Sequence, residues 1–202
     1  MSDEHPGGSE VDAEVAPAHE IVLVRHAETA WSRTHRHTGH SDIPLTDAGR
    51  AAAAALAPRL ADLHFTGVLC SPAVRARETA ELCGFGEAAQ LHDDLWEWDY
   101  GAYEGLTTKE IVAERPGWSL WRDGCPGGED AAQVGARADA VLALIGPRGT
   151  TAIFSHGHML RVLAARWLGL DPEVGASLAL ATASLSTLGY ERQTRVIWRW
   201  NA

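Results

Sequence analysis

The sequence predicts a three-layer α/β fold: a mostly parallel central sheet, helices on both faces, and antiparallel strands at one edge. Short apolar runs, Ile21-Val22-Leu23-Val24, Val68-Leu69-Cys70 and Ala152-Ile153-Phe154, have strand length and are too uniformly apolar for one-sided burial. Longer stretches between them open on helix-capping residues. Strand and helix patterns alternate along the chain, as they do in a parallel sheet covered on both faces.

From Glu20 onward the elements follow in order. The first strand covers residues 21–24, and residues 31–45 form a long polar loop rich in Arg, His, Thr and Gly. Thr46 caps a helix running to about residue 63, which Pro58 is expected to kink or break. Val68-Leu69-Cys70 is the second strand. Ser71 as N-cap, with Pro72 at the first helical position, opens a helix over residues 73–82. Residues 91–98 hold a third strand or extended segment, 107–114 a short helix, and 129–145 an amphipathic one. Residues 151–154 form the next strand, and the helix behind it runs to about residue 168, closed by Gly169. Residues 177–190 and 196–200 are expected as two further strands, an antiparallel hairpin at the sheet edge. With no repeat or linker in view, one domain over residues 19–202 is expected. Residues 1–18 hold Asp3, Glu4, Glu10, Asp12 and Glu14 but no Lys or Arg, and read as a disordered acidic tail.

At 202 residues the chain is long enough for one well-buried core. Seventeen Lys and Arg against 27 Asp and Glu give a formal net charge of −10, which argues against nucleic acid or an anionic membrane as the main partner. Any anion site must then be a local concentration of Arg and His. No apolar run approaches the roughly 20 residues of a membrane span, and no basic-then-apolar signal pattern opens the chain. Cys70, Cys83 and Cys125 form no CxxC pair and read as free thiols, so a cytoplasmic location is expected. Oligomeric state is not written in the sequence; a homodimer is compatible with it.

The chemistry sits at strand ends. Arg25-His26 follows the first strand, and His156, in Ser155-His156-Gly157-His158, follows the strand of residues 151–154. In an open α/β sheet, ligands bind outside the carboxyl ends of the strands. A floor of guanidinium and imidazole there suits phosphate. Arg75 stands in the first turn of the helix behind the second strand, where dipole and guanidinium together attract an anion. Glu97 lies between Trp96 and Trp98, an apolar setting of the kind that raises a carboxyl pKa toward that of a general acid. An isolated Arg-His is more often an ion pair beside a core histidine than a catalytic pair. Four such segments in one chain reverse that balance.

Taken together, Arg-His-Ala-Glu-Thr, Ser-Pro-x-x-x-Arg-Ala-x-x-Thr-Ala, Leu-x-Glu-x-x-x-Gly-x-x-Glu-Gly and Ser-His-Gly-His, in this order and with these gaps, resemble the histidine phosphatase (phosphoglycerate-mutase-like) superfamily. The strings Trp31-Ser32, His37-Thr38-Gly39, Pro44-Leu45-Thr46, Glu97-Trp98-Asp99-Tyr100-Gly101 and Cys125-Pro126-Gly127-Gly128-Glu129 are similar to its acid-phosphatase and sedoheptulose-bisphosphatase-like branch. The resemblance implies a metal-independent, cofactor-free phosphomonoesterase acting on a small phosphate ester, such as a sugar phosphate or a phosphoglycerate-like acid. It implies His26 as nucleophile, Glu97 as proton donor and then base, and Arg25, Arg75 and His156 neutralising the phosphoryl oxygens with help from the Gly157 N–H. Ser32, Thr38, Gly39 and Tyr100 match substrate-pocket positions. Ala27 departs from the usual glycine. If φ were positive there, Ala would cost about 1 kcal/mol; the favoured reading is that it only crowds the pocket slightly. Glu28 and Glu104 read as structural, Trp31 and Trp96 as candidate pocket walls, and Arg161 as either a contact to a second substrate anion or an acid's partner.

Three other readings compete. His35, His37 and His40 have the H-x-H-x-x-H spacing of a zinc hydrolase, but Gly39 occupies the place of the aspartate such sites need. A non-catalytic phospho-ligand binder would be favoured had His26 or Glu97 been replaced. A mutase resembles this chain at its core but carries a longer, more basic insertion than residues 105–127, where only Lys109, Arg115 and Arg122 are basic.

Overall fold

The computed structural model describes residues 18–202, so the expected acidic tail lies outside the described residues except for Ala18. The fold is the expected α/β sandwich. Six strands make one sheet: β1 (Ala18–Arg25), β2 (Gly67–Cys70), β3 (Gln90–Leu91), β4 (Arg148–Ser155), β5 (Leu185–Glu191) and β6 (Thr194–Arg199). Their order is β3-β2-β4-β1-β5-β6. β3, β2, β4 and β1 are mutually parallel, while β5 pairs antiparallel with both β1 and β6.

Side-chain alternation divides the apolar strands between two cores. Ile21, Leu23 and Ile153 face one side, packed with α6 (Ala131–Leu144) and α7 (Gly157–Trp167) through Val134, Ala138, Val141, Leu160 and Leu163. Val22, Val24, Ala152 and Phe154 face the other, against α2 (Asp47–Ala61) and α3 (Val74–Leu82) through Leu56, Leu60, Ala76 and Ala80. Each fully buried Leu or Ile contributes about 1.5–3 kcal/mol of burial. Two large cores therefore hold a rigid strand edge between them. Among the described residues no helix is long and apolar enough to cross a membrane, and all three cysteines are buried free thiols.

Several local expectations need correction. α2 runs through Pro58, which sits on its exposed face, so the proline does not end the helix. α3 begins at Val74 with Ala73 as N-cap, not at Ser71. The Ser71 hydroxyl accepts the Ala73 N–H at 3.3 Å and also lies 2.7 Å from His156 Nε2, while Asp42 accepts the Val74 N–H at 2.7 Å. Of residues 91–98 only Leu91 pairs as a strand; Asp93–Leu95 is a 3-10 turn, and residues 96–98 are irregular. The strand expected from residue 177 starts only at Leu185. Pro172 opens a 3-10 turn, Pro172–Ser177, and residues 178–184 lend backbone carbonyls to the end of β1. The polar loop contains a short helix, α1 (Ala30–Arg33), closed by a capping box in which Thr29 and Ser32 exchange hydrogen bonds. Among the described residues the short helices α4 (Thr108–Glu114) and α5 (Leu120–Asp123) complete the set of α-helices; α5 was not expected.

Candidate active site

The register of the sheet assembles the site. Arg25 pairs with Ser155 across β1 and β4, and Cys70 pairs with Phe154 across β2 and β4. His26, His156 and Ser71 therefore leave adjacent strands at the same carboxyl edge. A cavity of about 230 Å³ opens there, lined by Arg25, His26, Thr38, Glu97, Tyr100 and Gly157 among others. A larger open groove of about 1140 Å³ along α3 contains none of the site histidines.

His26 is buried, and its Nδ1 lies 2.8 Å from the Ala27 carbonyl. A carbonyl only accepts, so Nδ1 carries the proton and Nε2 keeps a lone pair. Burial first, then the Arg75 and Arg25 charges, hold this imidazole well below its ordinary pKa of 6.5 and keep it neutral. Arg25 donates through Nη1 to the Leu180 carbonyl, while its buried Nε–H has no acceptor among the described residues. Arg25 also lines the cavity, so its guanidinium brings positive charge to the site of the neutral His26 ring, an arrangement that suits an anion. Gly157, at the first position of α7, lies against that guanidinium; a Cβ there would come within 3.1 Å of Arg25 Cζ.

Arg75 and His156 stand behind His26 rather than in the cavity wall. Both are fully buried, and Arg75 Nε donates to His156 Nδ1 at 3.1 Å. His156 Nε2–H then donates to Ser71, which fixes the ring 5.2 Å from that of His26. The remaining Arg75 donors reach the carbonyls of Thr38, Gly39 and Ser41 at 2.8–3.1 Å. Glu104 holds the same loop from its amide side, accepting from Gly39 and Ser41 N–H. Gly39 is thus a clamped loop residue and not a wall of the cavity, and it has no room for a Cβ, which would lie 2.8 Å from both Glu104 Oε2 and the Trp98 carbonyl. Ser32 and Thr38 do line the cavity, although the Ser32 hydroxyl serves the Thr29 capping box.

Glu97 sits in a cage of backbone donors, not in the apolar slot its neighbours suggested. Oε1 accepts from Trp98 and Met159 N–H at 3.0 and 2.9 Å, and Oε2 from His158 N–H at 3.0 Å. The last two donors belong to the first turn of α7, so the carboxylate closes that helix and is held at the cavity edge.

A model of the histidine phosphatase superfamily, branch 1, matches residues 21–202. The chain belongs to that superfamily. An acid phosphatase of Mycobacterium tuberculosis is 42% identical over 183 residues, 88% of this chain and 89% of the relative. A sedoheptulose 1,7-bisphosphatase of Saccharomyces cerevisiae is 35% identical over 74% of this chain and 67% of its own length. The solved structure of a Mycobacterium tuberculosis open reading frame product superposes with a TM-score of 0.87 at 40% identity, covering 91% of this chain and 97% of that one.

In this histidine phosphatase Ala27 neither adopts positive φ nor lines the cavity. It packs with Leu45 and Ala53 beneath α2, and its N–H reaches Thr79 Oγ1 at 3.1 Å. Glu28 is turned to the start of α2, accepting from the Thr46 hydroxyl at 2.8 Å. Trp31 packs over Gly105, and Trp96 stacks on His156, so neither walls the cavity. Arg161 does line it. It stacks on Trp121 and is held by the Gly175 and Ala176 carbonyls, with no acidic partner among the described residues. Of the three histidines considered for zinc, His37 packs on Tyr100 and His40 on Trp96, and among the described residues no group of three His, Cys, Asp or Glu could hold a metal ion. Sequence reasoning missed Arg36, His37 and His158 as cavity residues. His158, two residues past His156 in Ser-His-Gly-His, was the one with a signal. Its Nδ1 lies 2.6 Å from the Tyr100 hydroxyl, whose burial keeps it protonated and so the donor.

The buried imidazoles make the fold of this phosphatase acid-sensitive. His26, His156 and His158 are all held well below 6.5, by burial first and neighbouring positive groups second, and burial lowers His37 to about 4. In the unfolded chain these rings protonate near pH 6.5. Below that pH the unfolded state binds more protons, so stability is full above about pH 7 and falls as pH drops toward the folded values. Each ring contributes a slope of up to about 1.4 kcal/mol per pH unit. Urea midpoints should therefore decline steeply from pH 7 to 5; a flat profile over that range would contradict the neutral-ring assignment.

Proposed function

We propose that the protein is a metal-independent phosphomonoesterase of small phosphorylated metabolites, working through a phosphohistidine on His26. The observation that carries this reading is the His26 tautomer: Nδ1–H bonded to a carbonyl, and a neutral ring with no partner on Nε2 among the described residues, in a cavity that Arg25 also lines. His26 Nε2 attacks phosphorus as the bond to the leaving oxygen breaks, and Glu97 delivers a proton to that oxygen. Oε2 accepts one N–H and Oε1 two, so Oε2 is the atom with a position left for that proton. Water then cleaves the P–N bond while Glu97 takes its proton, returning free imidazole and phosphate. Arg25 and the Gly157 N–H neutralise the phosphoryl oxygens in the cavity. Arg75 and His156 act from behind, keeping His26 neutral and fixed.

The cavity volume suits a metabolite, and Arg161, which lines it with no acidic partner among the described residues, supplies positive charge beyond that of Arg25. We therefore favour a substrate with further oxygens, such as a sugar phosphate or a phosphorylated acid. A panel of such esters ranked by kcat/KM, with a mutase assay alongside, tests this; phosphoryl transfer to a second metabolite exceeding release of inorganic phosphate would overturn it. Activity should also survive EDTA without loss. A loss restored by Zn²⁺, together with inactive His35→Ala and His37→Ala variants, would place the reaction on a metal instead.

A further inference from the structure

The Pro126-Gly127-Gly128-Glu129 string has no part in the chemistry above, yet it adjoins the segment that carries Glu97. Residues 96–100 belong to no helix or strand, so their backbone groups need partners from elsewhere. Arg137, on α6, supplies two of them and reaches a third carbonyl just before the segment. Its Nη1 donates to the Asp94 and Trp96 carbonyls at 2.8 Å each, and its Nη2 to the Glu97 carbonyl at 3.3 Å. The same guanidinium forms a two-pronged pair with Glu129, Nε to Oε1 at 2.8 Å and Nη2 to Oε2 at 2.7 Å. Glu129 completes the clamp. Its Oε2 accepts the Asp99 N–H at 2.9 Å, its N–H donates to the Asp99 carbonyl at 2.9 Å, and its carbonyl accepts from the Trp98 indole at 2.9 Å. The two glycines permit this contact: a Cβ on Gly128 would fall 2.2 Å from the Asp99 carbonyl oxygen, and one on Gly101 would fall 2.3 Å from that of Pro126.

We propose that the Arg137–Glu129 pair is a positioning device for Glu97. Neither residue lines the cavity, and both side chains are less than one-fifth exposed. They act on the reaction by fixing the backbone from which Glu97 and Tyr100 project. Lysine at position 137 keeps the charge beside Glu129 but cannot reach three carbonyls and both carboxylate oxygens together. The assignment rests on Glu97 being the proton donor, and a double-mutant cycle separates the two.

Arg137→Lys should lower the phosphorylation rate on an alkyl phosphate roughly 10–10²-fold, the scale of a misplacement of about 1 Å, with KM little changed. On p-nitrophenyl phosphate, which needs little proton donation, the loss should be under about 3-fold. In a Glu97→Gln background, Arg137→Lys should cost under about 2-fold more, because the group it positions is gone. Full additivity of the two changes, or equal losses on both esters from Arg137→Lys, would overturn the positioning role while leaving Glu97 as donor. Should Glu97→Gln itself fail to discriminate the esters, the donor reading falls and the positioning role with it. If Arg137→Lys does not fold, Glu129→Gln carries the same test, since it keeps the volume and removes the two-pronged pair.

Discussion

Replacing His26 with alanine is expected to lower kcat by roughly 10⁴-fold or more, the scale of losing a nucleophile. Substrate should still bind, because Arg25, Arg36 and Arg161 remain in the cavity wall. The loss should fall on kcat, with little change in affinity for a substrate or for inorganic phosphate. Removing the ring also opens space beside His156, whose own partners, Arg75 and Ser71, hold it in place. His156 therefore cannot swing forward as a substitute without abandoning two buried hydrogen bonds. Pre-steady-state kinetics on His26→Ala would check this. A variant that retained a burst of product would show that another group receives the phosphoryl.

The second large effect belongs to Glu97. Glu97→Gln should slow hydrolysis of an alkyl or sugar phosphate by roughly 10²–10⁴-fold, the usual range for general acid catalysis. The transition state of phosphoryl transfer is loose, so an alkoxide leaving group needs a proton, whereas p-nitrophenolate, with its low pKa, needs far less help. The loss on p-nitrophenyl phosphate should be clearly smaller in the phosphorylation step. Rapid quench must isolate that step, since in the proposed mechanism Glu97 also serves as base in dephosphorylation and steady-state rates would mix the two roles. Glutamine can accept through one atom only and would present an NH₂ to the N–H donors of Trp98, His158 or Met159, so part of the damage is positional. Equal losses on both esters would mean that Glu97 is not the donor. Glu28, spent on the Thr46 hydroxyl at the start of α2, is not placed to replace it.

The strands were legible because burial on both faces writes them as unbroken apolar runs; β1 and β4 carry Ile21–Val24 and Ala152–Phe154 within residues of near-zero exposure. The histidine-bearing strand edge was legible because its residues follow those runs directly in sequence. What failed was anything settled by tertiary hydrogen bonding. Ser71 accepts the Ala73 N–H, but its hydroxyl also serves His156, and the helix starts later, at Val74, whose N–H goes to Asp42. Ser32 lines the cavity as expected, but its hydroxyl also serves the Thr29 capping box, which spacing alone did not reveal. Gly39 and Arg75 matched the family's pattern, yet the structure joins them to each other behind the cavity, through a bond of 2.8 Å. The flanking tryptophans suggested an apolar slot for Glu97, and nothing local in sequence reveals that the first turn of α7, some sixty residues on, supplies its donors. His37 and His158 enter the cavity by the folding of a loop and a helix start, which periodicity does not encode.

The covalent intermediate is the most direct test. Wild-type protein should be mixed with substrate labelled in its phosphoryl group, quenched within milliseconds in alkali, and mapped by peptide. Label stable to base, labile to acid and confined to the peptide containing His26 is the expected result. Label that survives acid, or that maps to a serine, cysteine or aspartate, would contradict the account.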